Sequence, residues 1–319
     1  MNQATIVFSS HRPETLRLAS RAMRYHDAIF LEEPATPQFH RMLEGDITIE
    51  DYLLERDFEF PEFSCKMCRL FRDLKKEGKT FYQVEPFLDV LGGIHEFFGR
   101  GGDFMDFDPH STQFQVYMAE KRATRELLNY YQTVLQGSFE ATLEAVKQFA
   151  RVDAARIVLR DKMRAKALKP LLLTFASAYV EAGYIHCALW RELKKRLSDH
   201  VCLKRVFLMA PIVKPLLGKR QALGPGDILT LLYMFHPNIQ GKRIDLLAAR
   251  SLVFIKLLEK REMTEEDGRY PHIRNEVETI QKVGNLSFDD CKTLFPKIRL
   301  VKTEKARSIM KAYISALAS

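Results

Sequence analysis

Apolar and polar positions along this chain switch between two periods, and each switch marks an element. Residues 4–10 (Ala-Thr-Ile-Val-Phe-Ser-Ser) are apolar and β-branched without helical spacing, as in a strand covered on both faces. An amphipathic stretch from Thr15 to His26 follows, then a second apolar run, Ala28–Leu31, closed by Glu32-Glu33-Pro34. Helical spacing returns over about 37–55 and 61–77. Gly78 supplies a left-handed helix stop, and Thr80–Val84 reads as a third strand ending at Glu85-Pro86. Strands separated by helices predict crossover connections and a parallel sheet.

Glycines between 92 and 102, followed by Asp103-Phe-Met-Asp-Phe-Asp-Pro109, predict an exposed loop that opens a helical insertion at about 100–152. Helices are expected over 111–135, 138–150 and 153–173. A strand over 176–182 returns the chain to the sheet, ends in Gly183-Tyr-Ile-His186 and feeds a helix over 188–197. Residues 201–209 read as one more strand. Beyond Gly218 the spacing is helical. Asp227 of Gly224-Pro-Gly-Asp227 is expected to cap one helix, and Ser287–Asp290 to form a capping box for another. The expected fold class is therefore α/β, a mostly parallel sheet flanked by helices. It occupies a domain over 1–218 that carries the helical insertion, with a helical C-terminal region over 219–319.

The most apolar stretch, Leu171–Trp190, is long enough to span a bilayer but contains Glu181, Gly183 and His186. A carboxylate at membrane depth is costly, so the stretch reads as helix end, buried strand and helix start. Residues 1–14 lack the basic-then-apolar order of a secretory signal. Five cysteines make an odd, sparse set that suits a reducing compartment, and a cytoplasmic location is expected. The net charge of +8 is unevenly placed: residues 156–220 hold 15 basic against 4 acidic residues, a net +11. Such charge marks either solvated helix faces or attraction for an anionic ligand or nucleic acid.

Three predicted strands end in polar groups: His11 to Glu14, Glu32-Glu33, and Gly183 to His186. In an open parallel sheet, ligands bind outside the carboxyl ends of the strands. Two imidazoles and a carboxylate brought together there make either a general-base site or a divalent-metal site. Arg156, Arg160 and Arg164 share one helix face, and Arg160 is placed to hold an oxyanion or carboxylate. Glu14, Glu85 and Glu181 are expected to border the same crevice. Cys65-Lys-Met-Cys68 has no second pair to complete a zinc site. Asp103, Asp106 and Asp108 lack the spacing of a calcium loop, and no glycine run continues into Lys-Ser/Thr as a phosphate loop requires.

The order of these motifs resembles the EreA/ChaN-like superfamily of erythromycin esterases, ChaN-like proteins, TraB/PrgY and the Tiki proteases. Leu31-Glu32-Glu33 is similar to its second-strand Glu. Arg160-Asp161-Lys-Met-Arg-Ala165 is similar to its Arg-Asp-x-x-Met-Ala helix, with Arg164 in place of Met. Gly183-Tyr-Ile-His186 matches its late Gly-x-x-His. In the first turn, Phe8 stands where the superfamily has glycine. The likeness covers roughly residues 4–200 and implies a hydrolase of an ester or amide bond, acting on a small molecule or peptide. His11, Glu33, Arg160 and His186 would be catalytic, with Glu14, Glu85, Arg164 and Glu181 contacting substrate. One version of the chemistry gives His11, Glu32 and His186 a divalent metal (Mn, Co or Zn) that activates water. The other uses His11 as a metal-free base. A ligand-binding or regulatory protein using the same pocket is the alternative, and nucleic-acid binding through 156–220 a further one.

Overall fold

The computed structural model describes residues 2–54, 60–197 and 200–318. Its centre is a five-stranded, all-parallel sheet in the order β3-β2-β4-β1-β5. The strands are β1 (Asn2–Ser9), β2 (Ala28–Leu31), β3 (Thr80–Gln83), β4 (Ser177–Gly183) and β5 (Val201–Phe207). β1 is buried from Ala4 onward and β2 throughout. Their continuous apolar sequences therefore meet the requirement of a sheet covered on both sides.

Helices α1 (Leu16–Arg24), α2 (Pro37–Glu44), α3 (Ile49–Leu54) and α4 (Pro61–Lys76) cover one face. There Val7, Ile29, Leu31, Phe81 and Tyr179 of the strands pack with Met23, Phe39, Tyr52, Phe63 and Phe71. α5 (Pro86–Gly99) and α6 (Thr112–Gln136) lead to α7 (Phe139–Leu172). The C-terminal part of α7 and α8 (Cys187–Leu197) line the opposite face, where Ile6, Phe8, Ala28, Phe30, Ala178 and Val180 meet Leu168, Leu189 and Leu193. Odd-numbered positions of β2 and β4 thus face α1–α4, and even-numbered positions face α7 and α8, as the two-residue period of a strand demands.

The remaining helices are α9 (Ala210–Leu217), α10 (Pro225–Phe235), α11 (Lys242–Leu257), α12 (Pro271–Gly284), α13 (Phe288–Ile298) and α14 (Thr303–Ala318). The chain divides into two compact units. One comprises 1–117, 158–215 and 262–271, and the other 118–157, 216–261 and 272–319. Most of the insertion, read from sequence as part of a 1–218 domain, accordingly packs with the C-terminal helices. Phe139 of α7, for example, meets the rings of Phe288 and Phe295 in α13.

Three local expectations need correction. Gly92 and Gly93 lie inside α5 instead of a loop, because Phe87 and Ile94 on either side of them are buried and hold the helix. Phe139–Leu172 form one helix where two were expected over 138–150 and 153–173. Asp153 resembles a helix start, but its carboxylate accepts from Arg156 Nε and Nη2 at 3.0 and 2.7 Å within the same helix. The N-cap of α10 is Gly224. Asp227 sits three residues further on and accepts from the Gly224 amide at 2.8 Å. The Ser287–Asp290 capping box is present, and among the described residues no helix is long and apolar enough to cross a membrane.

Candidate functional site

Adjacent residues of an extended chain point to opposite faces, and this rule divides the polar residues at the sheet's carboxyl edge into two groups. Glu32 continues the even parity of β2 toward α7 and α8, whereas Glu33 continues the odd parity toward α2–α4.

The first group is buried and ionic. His186 directs Nε2 to Glu32 Oε1 at 2.8 Å and Nδ1 to Asp161 Oδ1 at 2.6 Å. Burial alone would lower the imidazole's pKa, but the Glu32 charge and the Asp161 hydrogen bond outweigh it and raise it to about 10. Burial likewise penalises the Glu32 anion. The charges of His186, Arg164 and Arg160 overcome this and hold the carboxyl well below its ordinary range. Glu32 Oε2 also accepts from the Gly183 amide at 2.7 Å and lies 3.3 Å from Arg164 Nη1. Arg160 Nη2 stands 3.6 Å from Glu32 and 3.3 Å from Glu85. Asp161 accepts from the Leu189 amide at 2.8 Å, which closes the first turn of α8. Three carboxylates therefore face three cations at the ends of β2, β3 and β4.

Several expected roles change here. Arg164 and Glu85 have 1 % and 0 % of their surface exposed, so neither reaches a ligand from solvent. Arg164 instead donates from Nε to the Val84 carbonyl at 2.8 Å, tying α7 to the end of β3. His186 is equally closed in, with both ring nitrogens taken by carboxylates. Asp161, part of the Arg160–Ala165 motif, was given no role of its own in the sequence reading. Its signal was its position next to Arg160, one turn before Arg164 on the same helix.

The second group lies on the other side of the sheet edge, beside a cavity of about 210 Å³. His11, Glu33 and Glu181 supply its polar wall, and Phe39, Tyr52, Phe60, Phe63, Met67 and Phe71 its apolar one. The His11 side chain is 55% exposed. Its ring stacks on Phe63 with centroids 5.5 Å apart, and its Nε2 lies 3.8 Å from Glu181 Oε1. Glu181 fixes itself by accepting from the Glu32 amide at 3.1 Å. Burial raises its pKa; His11 and that amide oppose the rise, while Glu33 and Glu32 add to it. Gln83 Nε2 donates to Glu33 at 2.8 Å. Glu14 faces a different cavity, of about 620 Å³, with Arg17 and Lys66.

The two imidazoles expected in one pocket are thus separated by strand parity, with Glu181, Glu32 and its backbone amide lying between them. Among the described residues no three His, Cys, Asp or Glu side chains form a metal-binding group. The geometry agrees, because both ring nitrogens of His186 already lie against carboxylates, Nε2 against Glu32 and Nδ1 against Asp161. The set His11–Glu32–His186 does not fit a divalent ion in this arrangement.

The basic stretch 156–220 is likewise less open than its composition suggests. Arg156 pairs with Glu120 and Asp153, Arg160 and Arg164 belong to the buried cluster, and Arg196 pairs with Glu192.

Together these features define an α/β protein with a parallel sheet whose carboxyl edge carries a buried ionic cluster on one face and a histidine-lined pocket on the other. No protein-family model matches the chain, and no solved structure does. An uncharacterized protein of Archaeoglobus fulgidus is 32% identical to it over 291 residues, which span 91% of this chain and 97% of that protein. The chain belongs to the family of that protein.

Proposed function

We propose that this protein is a hydrolase of ester or amide bonds related to the EreA/ChaN-like superfamily, with His11 as a metal-free general base. The observation that carries this reading is the placement of the His11 imidazole at the mouth of an apolar cavity, with a buried carboxylate, Glu181, behind it. Imidazole is the ordinary protein base near neutral pH. A carboxylate oriented toward it stabilises the imidazolium formed when water gives up its proton. The separation of 3.8 Å is long for a hydrogen bond, as such contacts often are before substrate closes them.

In the proposed reaction a water oxygen adds to the acyl carbon, its proton passes to His11 Nδ1, Nε2 being the nitrogen that faces Glu181, and the same proton returns to the departing alcohol or amine as the acyl bond breaks. The cavity of about 210 Å³ lies below the usual range for drug-sized ligands, roughly 300–1,000 Å³. A short acyl group or a single ring suits it. The buried cluster contacts no substrate in this scheme. It fixes the ends of β2 and β4, and with them Glu33 and Glu181.

The test is turnover of p-nitrophenyl acetate, butyrate and octanoate by the full chain and by His11→Ala. Hydrolysis that prefers the shorter esters and is lost in the variant supports the reading. Equal rates for both proteins would refute it. Saturable binding of such esters without turnover would favour a ligand-binding protein instead.

A further inference from the structure

The exit turn of β1 is held against the first turn of α4 by two stacked contacts. His11 lies on Phe63 at 5.5 Å with ring planes 17° apart, and the guanidinium of the next residue, Arg12, sits 3.9 Å above Phe60. Phe60 immediately precedes α4 and Phe63 lies in its first turn. The direction of His11 depends on where this first helical turn is fixed.

That turn has no cap of its own. Phe60 occupies the N-cap position without a side-chain acceptor, and Pro61 has no amide hydrogen to offer. The next two amide donors, of Glu62 and Phe63, would be left open. Both are taken by the carboxylate of Glu262, at 3.0 Å to Oε2 and 2.7 Å to Oε1. A fork of charge-assisted bonds at a helix N-terminus gains from the helix dipole as well. Glu262 begins the short segment 262–271, which packs in the sheet unit although the chain on both sides of it belongs to the helical unit. Met263, the next residue, is buried and anchors the segment.

We infer that Glu262 is a positioning residue for His11: it fixes the first turn of α4, and through Phe63 the orientation of the imidazole. The inference rests on the reading of His11 as the base, but its decisive test needs no turnover. In the full chain, the ring-proton resonance of His11, assigned by its disappearance in His11→Gln, is expected to be displaced by the Phe63 ring. Glu262→Ala should move that resonance toward its position in Phe63→Leu, and Glu262→Asp should restore part of the displacement. In parallel, kcat/KM should fall by up to about 100-fold, the scale of a roughly 1 Å misplacement.

A Glu262→Ala protein that melts earlier but keeps the wild-type His11 resonance would overturn the inference and leave Glu262 a simple cap. If the alanine variant does not fold, Glu262→Gln, with one acceptor oxygen, decides by the same resonance. An unmoved resonance overturns the inference, and a partial move supports it. A resonance that moves in a chain without esterase activity would refute the catalytic reading of His11 while supporting the positioning by Glu262.

Discussion

His186 stands 2.8 Å from Glu32 on one side and 2.6 Å from Asp161 on the other, so a single imidazolium ties the end of β2, the middle of α7 and the start of α8 together. Glu32 follows β2 directly, Asp161 is a residue of α7, and His186 precedes α8. A neutral imidazole could donate to one carboxylate only, whereas the protonated ring donates to both.

This has a pH signature. The pKa of His186 is raised from about 6.5 to about 10 on folding. Its contribution to stability is therefore complete below about 6.5 and disappears as the pH rises through that interval to 10. Glu32 is shifted the other way, so its contribution is present above its ordinary value of 4.5 and is lost in acid. Urea midpoints of the wild type and His186→Gln, compared from pH 6 to pH 10, isolate the histidine. The wild type should lose its advantage as the pH rises, with little difference left near pH 10. Parallel curves would show that His186 is not an imidazolium.

Removing one member of the cluster exposes the charges of the others. Asp161→Ala deprives His186 of an anion and the Leu189 amide of its acceptor. The cost of breaking a buried pair in this way is about 3–5 kcal/mol. Chemical denaturation should record a loss of that order, far more than the loss at exposed Glu96, whose partner is Arg100.

Much of the sheet was legible in sequence because strands buried on both faces need mostly apolar runs, and 4–8, 28–31 and 178–182 have them, broken only by Thr5 and Glu181. Membership of the site was harder to read. His11, Glu33 and Glu181 were found, as were Glu32, Arg160 and His186, but as one site. Strand parity assigns them to two faces, and which face a residue joins after a strand ends depends on the conformation of the turn. The contacts of Asp161 and Glu262 were not legible for a different reason. Each acts on a helix start distant in the chain, Leu189 and Phe63 respectively, and no local spacing records a cap supplied from elsewhere.

The Glu181 carboxylate has a kinetic signature of its own. Its pKa is raised mainly by burial, and in the proposed mechanism it must be ionised to support the His11 imidazolium. The part of the acid-side fall in activity that Glu181 contributes should therefore lie above the ordinary carboxylate value of 4.5. Glu181→Gln should reduce kcat by about 10²-fold, the lower part of the range for general-base assistance, while KM changes little. A variant with undiminished kcat would remove Glu181 from the mechanism.

Glu32 and Glu33 offer the sharpest comparison, since the two are neighbours in sequence and chemically identical. Glu32 is enclosed among His186, Arg160 and Arg164, so Glu32→Gln leaves three cations facing two carboxylates in a buried space. Glu33 borders the cavity beside His11 and accepts a hydrogen bond from Gln83. Glu32→Gln should lower the unfolding free energy substantially, by about 3 kcal/mol or more on the scale of a broken buried pair. Glu33→Gln should leave the unfolding free energy within about 0.5 kcal/mol of wild type but change KM for short-chain esters. Calorimetry and steady-state kinetics on the same two preparations separate the effects. If both variants lose stability equally, the two carboxylates share one environment, and the division of the site between the two faces of the sheet is wrong.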